Sequence, residues 1–226
     1  MERTRKILRL LGYTMAMLAF LPVVFVLAMK VVDPPFTLQE VRERFRHGKV
    51  FQDWVPIGEV PQGMQRAIVA AEDADFCRHW GLDRKSIETS LSSGSQSRGA
   101  TITQKVARSL FLWPAESGLR RMMEVPLTLV IEAAWTKRRI LEVYVNTAQF
   151  DRRVFGVAEA SRNYLEKELP ELTELEWAKM AAVLSQPVEL SARTPSDATL
   201  ARARKIVEGA QTIAKDGRDE CFAAGS

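Results

Sequence analysis

The sequence predicts a mainly α-helical (all-α) protein, with one N-terminal transmembrane helix followed by one helical domain. Residues 10–29 carry no charged side chain. From there to about residue 215, apolar residues recur at intervals of three and four, the spacing that gives a helix one apolar face. Alternating strand patterns are scarce, and residues 50–54 form the only short strand candidate. A chain of 226 residues is long enough for an anchor and one domain with its own core.

The N-terminal segment determines the predicted topology. A helix rises about 1.5 Å per residue, so residues 10–29 would span about 30 Å, the thickness of the bilayer hydrocarbon. No small-residue cleavage site follows the span, which favours an uncleaved anchor over a signal peptide. Basic residues in segment 1–9 place that segment in the cytoplasm and the domain outside. Further basic residues beyond the span weaken this bias: Arg42, Arg44, Arg46 and Lys49.

The rest of the chain divides into three predicted parts. A proline-rich linker and a membrane-proximal helix occupy residues 30–50, where Thr37 and Glu40 have the spacing of a capping box. The main domain is predicted at residues 51–215. Residues 216–226 are expected to form a flexible C-terminal tail.

Charge and cysteine content exclude some classes of function. The formal net charge of +4 suits an anionic partner, but no run of five or more like charges is present, so nucleic-acid binding is not expected. Cys77 and Cys221 lack zinc-site spacing and are interpreted as two unrelated thiols; a disulfide outside the cytoplasm is the alternative. The polar residues 90–99 predict either a mobile loop over a cleft or an ordinary surface loop.

The first segment with candidate chemistry ends a run of small and apolar residues at Glu72. A helix packed by that run would place Glu72 at a partly desolvated edge, and desolvation raises a carboxyl pKa towards the range of a general base. Asp73 would project about 100° away and take a different environment. The alternative is that Glu72 is a surface acid and His79 a packed core histidine.

The second segment predicts a polar stripe on a helix. Its members follow the spacing i, i+3, i+4 and i+7, and they are Thr101, Gln104, Lys105 and Arg108. A hydroxyl, an amide and two cations on one face suit an anionic, oxygen-rich ligand such as a pyrophosphate-linked sugar. The alternative is the solvated face of an amphipathic helix.

The third segment places an acid between guanidinium groups. Arg120, Glu124 and Thr128 are four residues apart and share a helix face, with Arg121 beside them. Two guanidinium groups can hold a carboxylate ionised and oriented, although an ordinary helix ion pair has the same spacing. Pro126 is expected to kink this helix or to mark its start.

Taken in order, these segments resemble the glycosyltransferase domain of peptidoglycan polymerases. That family includes the monofunctional biosynthetic peptidoglycan transglycosylases and the N-terminal domain of class A penicillin-binding proteins. Its first motif, E-D-x-x-F-x-x-H-x-G, is complete here as Glu72, Asp73, Phe76, His79 and Gly81. Its third motif and the following helix are matched by Arg120, Arg121, Glu124, Lys137, Ile140, Leu141, Glu142, Tyr144 and Asn146. The similarity covers about residues 51–214, and the expected member is of the monofunctional type, which has no transpeptidase domain.

The second motif departs from the family pattern G-x-S-T-x-T/S-Q-Q. It lacks the serine, and Lys105 replaces the second glutamine. Arg108 and Ser109 stand where a lysine and an asparagine usually follow, Asp151 replaces a common glycine, and Pro126 lies in a helix that normally has no proline. An active polymerase and a degenerate relative with little turnover are both open on this basis.

The resemblance implies a lysozyme-like fold and inverting glycosyl transfer from a strand on undecaprenyl pyrophosphate to lipid II. The implied catalytic residues are Glu72, as the base, and Glu124, which would orient the arginines or help to bind a divalent cation, Mg²⁺ or Mn²⁺. No metal ligands are otherwise assigned. The implied substrate-binding residues are Asp73, Phe76, His79, Thr101, Gln104, Lys105, Arg108, Arg120 and Arg121.

The same resemblance implies where the protein works and with what. The expected location is the bacterial inner membrane, with a single span and the catalytic domain in the periplasm. The expected partners are lipid II, the lipid-linked strand, the membrane and other wall-synthesis and division proteins. Two rival functions are a glycan-cleaving lysozyme-like enzyme, which would have no use for the clustered cations, and a catalytically silent scaffold.

Overall fold

The structure is a computed structural model that describes residues 2–83, 99–114 and 117–223. Helices α1 to α9 occupy Glu2–Met29, Leu38–His47, Gln62–Glu72, Ile102–Phe111, Gly118–Ala134, Lys137–Thr147, Val157–Leu165, Glu174–Val183 and Asp197–Lys215. Strands β1 and β2 occupy Phe51–Gln52 and Val154–Phe155, and short 3₁₀ turns occupy Phe76–Arg78 and Leu169–Glu171. The predicted loop at 90–99 lies outside the described residues, apart from Gly99. The prediction of a mainly α protein is confirmed.

The described part of the chain contains one two-stranded sheet. β1 and β2 are parallel, and Phe51 pairs with Val154 while Gln52 pairs with Phe155. β1 lies inside the predicted strand segment, but β2 was not predicted. Two residues are too few to show an alternating pattern, so its pairing depends on a partner about a hundred residues away in the chain.

Capping at the start of α2 confirms the local prediction. The Thr37 hydroxyl accepts a hydrogen bond from the Glu40 amide at 3.1 Å, and the Glu40 carboxylate accepts one from the Thr37 amide at 3.0 Å. Both bonds satisfy backbone donors that the first turn of a helix leaves unpaired.

α5 runs through Pro126 without ending there. The helix begins at Gly118, and Ser117 caps it by accepting a hydrogen bond from the Arg120 amide at 3.2 Å. The interpretation of Pro126 as the helix start is therefore wrong. The buried side chains of Leu127 and Ile131 follow directly, so tertiary packing supports the helix past the position where proline removes a backbone donor.

α1 is fixed to the domain at its C-terminal end. Trp135, which follows α5, donates from its indole nitrogen to the carbonyl of Val26 at 2.7 Å. Arg139 on α6 donates to the carbonyls of Met29 and Val32. In the part of the chain that the structure describes, no helix combines the length and the hydropathy that crossing a membrane requires.

The core joins two groups of helices. α3, α8 and α9 pack against one another, while α4 packs against α5 and α6. The chain segment between α3 and α4 connects the two groups. The two groups meet where the end of α3 lies against α4, since Asp73 accepts a hydrogen bond from the Ile102 amide and Glu72 pairs with Lys105.

Residues 216–223 form a C-terminal strap that packs onto the domain, which corrects the predicted flexible tail over this range. Phe222 is fully buried, and its ring lies 6.3 Å from that of Phe76. Asp219 accepts a hydrogen bond from the Arg66 guanidinium at 2.6 Å, and Arg138 donates to the carbonyl of Phe222 at 2.8 Å. The segment is short and polar, so only these long-range contacts distinguish it from a tail.

A disulfide joins Cys77 to Cys221, so the interpretation as unrelated thiols is wrong. The two residues are 144 positions apart, and sequence spacing gives no sign that the fold brings them together. The bond ties the strap to the turn that follows Glu72 and Asp73.

Replacing both cysteines by serine is expected to lower the free energy of unfolding by about 2–5 kcal/mol, because the unfolded chain regains the freedom that a large closed loop removes. Urea unfolding of the oxidised protein and of the Cys77→Ser, Cys221→Ser variant measures the difference. A reductant should shift the wild-type midpoint towards that of the variant and leave the variant unchanged. Equal midpoints for all samples would show that the bond adds no stability.

Candidate active site

Asp73 connects the end of α3 to the start of α4. Glu72 is the last residue of α3, and Asp73 caps the helix. One carboxylate oxygen of Asp73 lies 2.8 Å from Nε2 of His79, and the other accepts a hydrogen bond from the Ile102 amide at 3.0 Å. A carboxylate at the first turn of α4 also suits the positive end of the helix dipole. Asp73 therefore fixes the relative position of Glu72 and α4.

Thr101 is the N-cap of α4 and not a member of its polar face. Its hydroxyl donates to the carbonyl of Gly81 at 2.6 Å and accepts from the amide of Gln104 at 3.2 Å. The Gln104 side chain accepts in return from the Thr101 amide at 2.9 Å. The helix begins one residue after Thr101, so the predicted stripe is wrong in including this residue. Gly81 has a φ of +72°, and a Cβ there would lie 2.6 Å from the Thr128 side chain. The close packing of Gly81 against Thr128 therefore requires glycine.

Phe76 and His79 belong to the framework behind the site. Phe76 is fully buried, so its predicted contact with substrate is wrong. Lys137 lies 4.5 Å over the Phe76 ring and donates to the carbonyl of His79 and to Glu132, both at 2.8 Å. These contacts hold the turn that carries Asp73 and His79.

A cavity of about 540 Å³ opens where the two groups of helices meet. Three of the predicted site residues line it, namely Glu72, Lys105 and Arg108. Arg202 from α9 and Tyr144 from α6 also line it, together with several uncharged polar side chains. The cavity therefore brings together one carboxylate and three cationic side chains from three helices.

Glu72 is held at the inner wall of this cavity. Its side chain is 2% exposed, and the Lys105 ammonium forms an ion pair with its Oε2 atom. The Tyr144 hydroxyl donates to the same oxygen at 3.2 Å. Burial, with a smaller contribution from the Asp73 charge, raises the pKa of the Tyr144 hydroxyl, so Tyr144 remains a donor over the physiological range. The predicted semi-buried position of Glu72 agrees with the structure.

Lys105 lies among other cations. Burial, followed by the charges of Arg108 and Arg202, lowers the pKa of the Lys105 ammonium to about 7. The contact with Glu72 acts in the opposite direction, because a carboxylate favours the charged form of its partner. The charge of Lys105 therefore depends on having an anion beside it.

Glu124 orients Arg108 from beneath the cavity wall. The carboxylate is completely buried and accepts from the Arg108 guanidinium through both oxygens, at 2.9 and 3.2 Å. Arg120 is buried and is not part of the described cavity wall, while the Arg121 side chain lies outside the described residues. Direct contact of Arg120 and Arg121 with a leaving group stays a prediction.

Arg202 lines the cavity but is not among the site residues that the sequence predicts. It lies on α9, whose apolar spacing predicts a helix, and no basic residue of that helix is among the predicted site residues. One arginine on an amphipathic helix looks like any solvated surface residue. Only the packing of α9 against α3 brings Arg202 to the cavity.

The described residues do not fit a metal ion held by the protein. They contain no group of three or more His, Cys, Asp or Glu side chains that could bind one. Both carboxylate oxygens of Glu124, the residue expected to help, accept from Arg108. Dependence on Mg²⁺ or Mn²⁺ stays a prediction.

Comparison with known proteins agrees with these features. The family described as Transglycosylase matches residues 39–211. A biosynthetic peptidoglycan transglycosylase of Jannaschia sp. (strain CCS1) is 40% identical over 206 residues, which are 91% of this chain and 86% of the relative. Proteins of the same name from Pasteurella multocida and Caulobacter vibrioides are 35% and 31% identical, over 83% and 89% of this chain and 81% and 90% of their own lengths. The chain therefore belongs to the transglycosylase family.

Proposed function

We propose that this protein polymerises peptidoglycan glycan strands from lipid II and releases undecaprenyl pyrophosphate. The observation that carries the proposal is the cavity that a nearly buried carboxylate, Glu72, lines together with its partner Lys105 and with Arg108 and Arg202. A base and a cationic wall are the two groups that glycosyl transfer from a diphosphate donor needs. The names of the relatives point to the same reaction.

The proposed reaction begins at the acceptor sugar. Its hydroxyl gives a proton to the Glu72 carboxylate as its oxygen attacks the anomeric carbon of the donor. The new carbon–oxygen bond forms on the face opposite the diphosphate, whose bond to the same carbon breaks with both electrons leaving on the diphosphate. Arg108 and Arg202 offset the growing negative charge, and Glu124 keeps Arg108 in place.

Glycan cleavage fits the same residues less well. A glycan-cleaving enzyme needs a protonated acid at the scissile oxygen, usually with a second carboxylate across the bond. Glu72 is paired with a cation, which favours its ionised form, and Glu124 is buried beneath Arg108. Neither arrangement supplies the acid. The lysozyme-like fold implied by the resemblance suits an extended glycan in either case.

Incubation of the detergent-solubilised protein with labelled lipid II tests the proposal. The expected products are glycan polymer and undecaprenyl pyrophosphate. A glycan-cleaving enzyme would instead shorten preformed strands, and a scaffold would do neither. Absence of polymer under conditions in which the protein remains folded would contradict the proposed reaction.

We also propose that α1 anchors the protein in the bacterial inner membrane by a single span, with the domain in the periplasm. α1 has 28 residues and is about 42 Å long, which exceeds the bilayer hydrocarbon, and the uncharged run of residues 10–29 lies within it. No helix of the described residues meets the requirements of a span, so the proposal rests on this run of the sequence. Many of the apolar side chains of α1 are exposed in the chain alone: Tyr13, Met17, Phe20, Leu21, Val24, Phe25 and Leu27. The disulfide supports an oxidising compartment, because cytosolic thiols are kept reduced. This location would bring the domain close to lipid-linked substrates and to other wall-synthesis and division proteins.

A reporter that works only outside the cytoplasm, fused after Ser226, is expected to be active in cells. The reason is the basic segment before α1, which should keep the N-terminus inside. The matched control carries the same reporter before Met1 and should be inactive. Activity of the N-terminal fusion alone would reverse the proposed orientation.

A further inference from the structure

The pairing of Glu72 with Lys105 raises a problem for the proposed reaction. A carboxylate in contact with an ammonium group is a weaker base than the same carboxylate alone, because the cation stabilises its charged form. Lys105 and Tyr144 both bind Oε2 of Glu72, and the carboxylate is almost completely buried. In this arrangement Glu72 is poorly prepared to take a proton from a sugar hydroxyl.

The surroundings of Lys105 would allow its ion pair with Glu72 to separate. Its side chain lines the cavity together with Arg108 and Arg202, so an anion that binds these arginines comes within its reach. A lysine has a flexible stem and a compact charge, and it can exchange one anionic partner for another without moving the helix. The charged and titratable groups around the pair are Asp73 after α3, Arg108 on α4, Glu124 on α5, Tyr144 on α6 and Arg202 on α9. α2 contributes the uncharged Gln39 to the same wall.

The electrostatic balance of the cavity favours such an exchange. Lys105, Arg108 and Arg202 bring three positive charges to one wall, while Glu72 and Glu124 each already occupy one of these cations. A diphosphate group carries more negative charge than one carboxylate and can be shared by several cations. Its arrival would therefore compete with Glu72 for the Lys105 ammonium.

We propose that Lys105 is a substrate-sensing counter-ion, which pairs with Glu72 in the free protein and moves to the donor diphosphate on binding, leaving Glu72 free to accept the acceptor's proton. The inference rests on the proposed function and adds a control step to it. Lys105 supplies charge only; the proton still passes from the sugar hydroxyl to Glu72, and the bonds made and broken are unchanged. Chemistry at Glu72 would then begin only when a donor is in place.

The lowered pKa of Lys105 agrees with this role. Because burial and two neighbouring cations disfavour its charge, Lys105 needs an adjacent anion in both states. Glu72 is that anion in the free protein, and the diphosphate replaces it in the complex. For Glu72 the pair has the opposite effect on proton affinity: the adjacent ammonium favours the charged carboxylate, and its departure removes that stabilisation.

Lys105→Gln tests the exchange, since glutamine removes the charge and is also the residue found here in the resembled motif. The acid limb of kcat/KM reports the free enzyme, and that of kcat reports the substrate complex. In the wild type the kcat/KM limb should lie at lower pH than the kcat limb. In Lys105→Gln the kcat/KM limb should rise by about 1–3 pH units, the effect of an opposite charge in contact, and the kcat limb should stay in place. Lys215→Gln, which removes one exposed charge about 20 Å along α9 from Arg202, should change neither limb.

A second measurement needs no turnover. Titration of the Glu72 carboxyl carbon by NMR, assigned with Glu72→Gln, is made with and without inorganic pyrophosphate. Pyrophosphate should move the wild-type titration to higher pH, while Lys105→Gln should titrate at that higher pH already and respond little. The proposal would be overturned if pyrophosphate leaves the wild-type titration of Glu72 unchanged, or if Glu72 titrates at the same pH in Lys105→Gln as in the wild type. These outcomes are separate from polymer formation, whose absence would contradict the proposed function instead.

Discussion

Glu72→Gln is expected to lower the rate of polymer formation by about 100-fold to 10,000-fold, the contribution of a positioned general base. Glutamine keeps the shape of the side chain and can still accept hydrogen bonds from Lys105 and Tyr144, so the fold should persist. It cannot take the proton of the attacking hydroxyl. Conversion of labelled lipid II, measured with the thermal midpoint of each protein, separates the loss of chemistry from a loss of folding.

Glu208→Gln is the matched control, because Glu208 is an exposed carboxylate on α9. It should leave the rate within about twofold of the wild type, as is usual for surface substitutions. A Glu72→Gln protein that keeps most of its activity would remove Glu72 from the role of base. Equal losses in both variants would indicate a general effect of charge.

Arg108→Ala is expected to affect both stability and activity. It leaves the completely buried Glu124 carboxylate without the guanidinium that donates to both of its oxygens. Loss of one partner from a buried ion pair costs about 3–5 kcal/mol of unfolding free energy. The rate should also fall by roughly 100-fold or more, because one cation facing the departing diphosphate is gone. Urea unfolding and kcat/KM with lipid II measure the two effects.

The double variant Arg108→Ala, Glu124→Gln separates these effects. Glutamine removes the buried negative charge, so stability should return most of the way to the wild-type value. Activity should stay low, since the cation is still missing. If Arg108→Ala alone unfolds at the same urea concentration as the wild type, the ion pair does not contribute to the free energy of unfolding. If the double variant regains activity, Arg108 has no direct part in transfer.

The sequence predicted those parts of the fold whose causes are local. The Thr37–Glu40 cap depends on a spacing of three residues, and the helices depend on apolar spacing within each segment. Lys105 and Arg108 were recognised together because one helix turn separates them. The apolar run before Glu72 predicted a packed helix end, and the family resemblance assigned Glu72 the role of base.

The missed features all depend on contacts between distant segments. β2 exists through its pairing with β1, and the disulfide joins Cys77 to Cys221 across most of the domain. The C-terminal strap is held by the Arg66 ion pair and by burial of Phe222. Such contacts leave no local pattern in the sequence. The prediction was therefore a flexible tail, and the spacing of the two cysteines favoured unrelated thiols over a disulfide.

Motif residues were found more reliably than their roles. Glu72 and Arg108 line the cavity, whereas Phe76 is in the core and Thr101 caps a helix. Both kinds of residue belong to the same motifs, because a site needs residues that touch the ligand and residues that hold those residues in place. Only the packing tells them apart, and it also reveals Arg202.

A crystal structure with a bound diphosphate-linked substrate analogue is the sharpest check on the pairing of Glu72 with the cationic wall. The diphosphate should lie within about 2.7–2.9 Å of nitrogen atoms of Arg108 and Arg202, the range of charge-assisted hydrogen bonds. The acceptor hydroxyl should lie within about 2.6–3.2 Å of a Glu72 carboxylate oxygen. A diphosphate bound away from this cavity, or an acceptor hydroxyl that another base contacts while Glu72 stays remote, would contradict the proposed chemistry.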